Sequence, residues 1–167
     1  MVLLMPGGRP DTLSLLHTLA SELGVAPEKL HSQHYQFWQN GDADLSRELA
    51  HLPGGHVDWV IAKSMGTLLF AEAVLRGQIR FSGAVLIGVP LPIMKNMGVG
   101  DNAFTALDLN RVLFVQQAND KLCSAQTLRT AISPPHMHVI PGSDHAYLQT
   151  DFYIEAMRKF LNPYPAL

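Results

Sequence analysis

Residues 57–67 read Val57-Asp58-Trp59-Val60-Ile61-Ala62-Lys63-Ser64-Met65-Gly66-Thr67, and the rest of the chain can be read outward from them. Val57–Ala62 is a short, mostly apolar run of strand character, and the helical pattern of Met65–Arg76 begins at once behind it. Between the two stands a serine with a small residue two positions before it, Ala62, and a glycine two positions after, Gly66. A strand that turns this sharply into a helix forces the residue at the corner into a strained backbone conformation. Bulky side chains two positions to either side would collide. The serine hydroxyl then stands clear at the carboxyl end of the strand, over the free N–H groups and positive dipole end of the helix. A plainer role also open to Ser64 is to N-cap that helix.

Similar runs recur on both sides of this stretch. Strand-like segments are predicted at Val2–Met5, His34–Trp38, Val57–Ala62, Gly83–Val89, Val112–Gln116 and Met137–Ile140. Several are continuously apolar, as expected of parallel strands covered on both faces. Helical patterns lie between them, at Thr12–Leu23, Asp42–His51, Met65–Arg76, Ala125–Ile132 and Asp151–Leu161. This alternation predicts an α/β protein, a three-layer α/β/α sandwich on a mainly parallel sheet of about six strands. Ligands of such sheets bind at the carboxyl ends of the strands.

Two of the loops at those ends carry the matching chemistry. Gln116-Gln117-Ala118-Asn119-Asp120-Lys121 places an acid after the fifth strand, and Pro141-Gly142-Ser143-Asp144-His145-Ala146 places a histidine after the sixth. With Ser64 they run in the order Ser, Asp, His. On these residues the stretch Val2–Leu161 resembles a minimal α/β-hydrolase, similar to small bacterial esterase-like serine hydrolases, and Ala62-Lys63-Ser64-Met65-Gly66 resembles their nucleophile elbow.

The resemblance implies a role for each position. Ser64 is the expected nucleophile, His145 the base and Asp120 the acid that orients it. The oxyanion is expected to rest on the Met65 N–H and on a second N–H from Pro6-Gly7-Gly8, with Gly7 favoured over Gly8. Many relatives carry His-Gly in that loop; here Met5-Pro6 stands there, and proline has no N–H to give. Asp101 and Asp108 compete with Asp120 for the acid, and Asp120 could instead cap the helix behind it. The implied reaction is hydrolysis of a carboxylic ester or thioester through an acyl-enzyme, with no cofactor. The same triad also serves C–C hydrolases and lyases, and a non-catalytic binding protein on this scaffold is the rival from another class.

One domain is expected over residues 1–167, with a short flap at 90–110 where larger relatives insert a cap. Met94 and Met97 in that flap, and Trp38 at the end of the second predicted strand, are candidate substrate-binding residues; all three could equally be core.

Composition narrows the remaining classes. A net charge of −2 with twelve scattered Lys and Arg residues leaves no basic stripe for nucleic acid. The longest apolar runs fall far short of the ~20 residues that a membrane-spanning helix needs. Met1–Met5 is apolar but lacks a basic leader and breaks at Pro6, so no signal peptide is expected. The single cysteine, Cys123, cannot form an internal disulfide, which suits the reducing cytoplasm. His31/His34 and His136/His138 are closely spaced, yet no acid or thiol completes a known ligand pattern, so no metal is expected. The oligomeric state is not legible.

Overall fold

The computed structural model describes residues 1–41 and 44–164. Six strands form one sheet: β1 (Val2–Met5), β2 (Leu30–Ser32), β3 (Gly55–Lys63), β4 (Ile79–Ile87), β5 (Val112–Gln117) and β6 (Met137–Ile140). Their order is β2-β1-β3-β4-β5-β6 and every neighbouring pair is parallel. The helices are α1 (Thr12–Glu22), α2 (Phe37–Asn40), α3 (Leu45–Ala50), α4 (Met65–Leu75), α5 (Ala125–Ile132) and α6 (Ile154–Leu161).

The continuous apolar runs are explained by burial on both faces. Successive strand residues point to opposite sides of a sheet. Leu3, Met5, Val60, Ala62, Leu86 and Phe114 share one core with Leu49 of α3, Leu68 of α4 and Leu128 of α5. Val2, Leu4, Ile61, Val85, Ile87 and Val115 share the other with Leu16 of α1 and Met157 of α6. From β1 the chain winds one way to β2, and from β3 the other way to β6. With α1 and α4 on opposite faces, the two windings keep the same hand. The reversal falls between β1 and β3, which is where open α/β sheets leave a crevice for ligand.

The second strand lies elsewhere than the sequence pattern predicts. Not His34–Trp38 but Leu30–Ser32 pairs with β1, in the register Val2↔Leu30 to Leu4↔Ser32. The aromatic run that imitates a strand folds into the helical turn α2 instead. Both carboxylate oxygens of buried Glu48 accept backbone N–H bonds there, from Gln36 and Phe37, each at 3.0 Å. Tyr35 stacks on Phe37 at 5.4 Å and meets Trp38 edge-on at 5.2 Å. Tertiary contacts thus override β-propensity. The predicted helix Asp42–His51 is observed from Leu45, capped by the Asp44 carboxylate; Asp42 lies outside the described residues.

Segment 90–110, the expected short flap, is a chain of short 3₁₀ turns. Val99, Ala103, Phe104 and Leu107 are buried in the core on the α4 face. Glu72, buried on α4, accepts the Gly100 N–H at 3.0 Å and pairs with Arg76 at 2.8 Å, pinning the segment to that helix.

Candidate active site

The register aligns the carboxyl ends of the strands. Met5 pairs with Ala62, and Lys63 with Ile87; Ile87 pairs with Val115, and Gln117 with Ile140. The loops after β1, β3, β5 and β6 therefore open on one edge of the sheet.

Ser64 sits at the corner between β3 and α4 with φ 51° and ψ −120°. Such a conformation costs a non-glycine residue roughly 1–3 kcal/mol. Its N–H is tied to Ile87 O at 2.9 Å, and Thr67 Oγ1 donates to its carbonyl at 2.6 Å. Gly66 passes against the loop after β1: a Cβ there would lie 2.1 Å from Met5 O and 2.6 Å from Pro6 O. The small residue two positions after the serine is thus required by backbone, which cannot yield. The Ser64 side chain does not cap α4. Its Oγ lies 2.8 Å from His145 Nε2.

His145 Nδ1 lies 2.7 Å from Asp120 Oδ2. With Nδ1–H donating to the carboxylate, Nε2 is left to accept from the serine hydroxyl; this tautomer follows from the partners. The backbone of His145 has φ 65° and is held at both ends. Its N–H donates to Gln117 Oε1 at 2.9 Å, and Lys63 Nζ donates to its carbonyl at 3.0 Å. Lys63 is itself buried, and burial pulls its amine down to about 8.

Asp120 is 4% exposed. It accepts from Leu122 N at 2.8 Å, from Tyr147 Oη at 2.7 Å and, more loosely, from Cys123 N at 3.4 Å. Burial pushes its carboxyl upward, but the hydrogen bonds from His145, Tyr147 and Leu122 outweigh this and hold it below the usual range. Capping of α5 falls to Ser124, which accepts from Thr127 N. Asp101 and Asp108 lie away from the cavity, Asp108 pairing with Arg111 and Asp101 with Lys95; Asp144, at the cavity wall beside His145, accepts from Gln117 Nε2 and Ala146 N.

Met65 opens α4, where N–H groups have no intrahelical acceptor. Gly7 donates its N–H to Thr12 Oγ1 at 2.7 Å, bracing the loop on α1, so this donor is already engaged. Gly8 N–H has no acceptor among the described residues, and a Cβ built on Gly8 would meet nothing within 4 Å. A cavity of about 460 Å³ lies against Ser64 and His145, walled by Gly7, Gly8, Thr12, Lys63, Lys121 and Leu148 among others. Its size is that of a small-molecule site.

Trp38, Met94 and Met97 do not line this cavity. Trp38 packs edge-on against His34 and Tyr35, and Met94, within segment 90–110, is buried and borders a separate hollow of about 340 Å³ with Leu91, Phe104 and Leu109. Met97 borders a separate hollow of about 50 Å³ with Phe37, Met65 and Leu69. Residue type alone points to the aromatic and Met side chains, whereas the cavity wall belongs chiefly to the loops after β1 and β6. Lys63, Gln117 and Tyr147 were missed. Gln116 and Gln117 had a signal, since two amides end an otherwise apolar buried strand; Tyr147 had none.

Among the described residues no cluster of three His, Cys, Asp or Glu could hold a metal ion, and no helix is long and apolar enough to cross a membrane. No protein-family profile and no curated protein matches the chain. Three solved structures are similar, two of them with a TM-score above 0.5. One, named as a putative YdeN-like hydrolase from Pectobacterium atrosepticum, has a TM-score of 0.63 at 17% identity, over 98% of this chain and 91% of that one. The other, named as a putative hydrolase of the alpha/beta superfamily from Xanthomonas campestris pv. campestris, has a TM-score of 0.59 at 17% identity, over 97% of this chain and 95% of that one. Together with the all-parallel sheet and its helices on both faces, this likeness shows that the chain has the α/β-hydrolase fold.

Proposed function

We propose that this protein is a serine hydrolase that cleaves a carboxylic ester or thioester through an acyl-enzyme. The observation that carries the reading is the unbroken pair of hydrogen bonds from Ser64 Oγ to His145 Nε2 (2.8 Å) and from His145 Nδ1 to Asp120 Oδ2 (2.7 Å), with the serine facing a cavity. In the first half-reaction Ser64 Oγ attacks the acyl carbon as His145 Nε2 takes its proton. The carbonyl electrons move to oxygen, and collapse of the adduct expels the alcohol or thiol, which takes the proton back from His145. Water then attacks the acyl carbon as His145 takes its proton, and the adduct collapses to release the acid while His145 returns that proton to Ser64 Oγ. Asp120 stays ionised throughout and stabilises the imidazolium.

The oxyanion rests on the Met65 N–H and, in place of Gly7, on the Gly8 N–H. Nucleophile, base and orienting acid all come from the chain. Leu15 and Leu148 give apolar surface for the acyl or alkyl group, and Arg9 and Lys121 stand among the charged residues around it. The buried free thiol of Cys123 suits a reducing, cytoplasmic setting.

Treatment of the purified protein with a fluorophosphonate tests the reading, beside Ser64→Ala and His145→Ala. Wild type is expected to label at one serine, Ser64→Ala not at all, and His145→Ala at least about 10³-fold more slowly. A folded wild type that does not label overturns the proposal.

A further inference from the structure

Tyr147 lies two residues beyond His145, is 1% exposed and has φ 62°. Its hydroxyl stands between two partners, accepting the Gln117 N–H at 2.9 Å and donating to Asp120 Oδ2 at 2.7 Å. That oxygen is the one that also receives His145 Nδ1. The ring meets the His145 imidazole edge-on at 5.8 Å, and Gly88 leaves it room: a Cβ on Gly88 would come within 2.7 Å of Tyr147 Cε2 and 3.1 Å of His145 Cε1. Behind it, Tyr153 Oη donates to the backbone O of Tyr147 at 2.7 Å. A buried phenol so thoroughly built in, on the one oxygen that the histidine uses, is more than filling.

Resting on the hydrolase reading, we propose that Tyr147 is a positioning residue that shares Asp120 Oδ2 with His145 and so limits how strongly the carboxylate holds the imidazolium. The phenol draws negative charge from that oxygen. Without the phenol the whole charge would serve His145, and the imidazolium would persist to higher pH. The donor itself does not titrate in the working range, because burial and the adjacent carboxylate push its hydroxyl far upward. The other charged or titratable groups facing the pair are Lys63, whose amine lies 5.4 Å above the Tyr147 ring and bonds His145 O, Cys123 beside Asp120, and Asp144 and Lys121 at the cavity wall.

The test compares wild type, Tyr147→Phe and Tyr153→Phe by two readouts. One is the pH dependence of fluorophosphonate labelling; the other is titration of the His145 ring signals by NMR, assigned by their loss in His145→Ala. In Tyr147→Phe the acid limb of labelling and the His145 midpoint are both expected to move up by about one pH unit. Tyr153→Phe, which leaves Asp120 Oδ2 untouched, keeps the wild-type midpoint. A Tyr147→Phe protein that loses rate at every pH with no shift overturns the inference, since that is the mark of a merely structural role. Incorporation of 3-fluorotyrosine into Tyr153→Phe strengthens the donor without removing it, and covers the case in which Tyr147→Phe does not fold. It must move the midpoint down, and no movement also overturns the inference. The NMR arm reads the tyrosine whether or not Ser64 labels, so failure of the hydrolase reading is separately visible.

Discussion

Two long connections leave the same edge of the sheet and behave in opposite ways. Segment 88–111, after β4, is apolar and turns inward. Phe104 and Leu107 join the core, Glu72 and Gln116 anchor it through the Gly100 and Val89 N–H groups, and none of it reaches the cavity. Segment 141–149, after β6, is held chiefly by polar bonds to Gln117, Lys63 and Asp120. It stores positive φ angles at His145 and Tyr147 and presents the imidazole to Ser64. A loop that buries apolar side chains spends its residues on stability. A loop held by hydrogen bonds from its neighbours can hold one side chain at a set place and angle, which is what a reacting group needs.

Substitutions can press on this contrast. The largest effect is expected at the β3–α4 corner, against which the loop after β1 passes. Gly66→Ala drives a methyl into Met5 O and Pro6 O, and backbone on both sides has nowhere to go. A loss of more than about 3 kcal/mol, or no soluble protein, is expected by thermal or urea unfolding; a variant as stable as wild type would refute the tight-turn account.

Phe104→Ala should come next, with a stability loss of roughly 3–5 kcal/mol as a buried ring is removed. Labelling per folded molecule should stay within about twofold, because Phe104 is buried in the core and lines no part of the cavity. A fall of tenfold or more in labelling would mean that Phe104 is coupled to the site.

Lys63→Met should act the other way, with a modest change in stability and labelling slowed about tenfold as the His145 carbonyl loses its donor. It also carries a pH signature. The Lys63 amine titrates near 8 in the folded protein against 10.5 as reference, so between those values the unfolded chain binds more protons than the folded one. Wild-type stability gains from this group as pH rises through that window, and below pH 8 the full cost of the buried cation is present. In Lys63→Met that gain is absent, which urea midpoints at pH 7.5 and 10 would reveal.

Much of the fold was legible because its causes are local. Runs such as Leu3–Met5 and Ala84–Ile87 are apolar at every position since both faces of a parallel strand are covered, and a serine flanked at two positions by Ala62 and Gly66 has few explanations other than a tight strand-to-helix corner. Asp120 and His145 could be picked out as polar residues just past strand ends, and they lie within hydrogen-bonding distance of each other. The second strand was misplaced because Tyr35, Phe37 and Trp38 have high β-propensity, while the competing force, the Glu48 carboxylate on the Gln36 and Phe37 N–H groups, comes from another helix.

By itself the sequence determined the alternation of strand and helix, the parallel sheet with two covered faces, and the small-x-Ser-x-Gly corner, since each depends on solvation and sterics within a few residues. The tertiary structure alone decided that Thr12 engages the Gly7 N–H, which wall bounds the cavity, and that Tyr147 shares an oxygen with His145. Those outcomes depend on where the ends of β1, β3, β5 and β6 converge. Hydrogen bonds between residues such as Lys63 and His145, or Asp120 and Tyr147, leave no periodic trace in a chain because their geometry arises only once distant strands are in register.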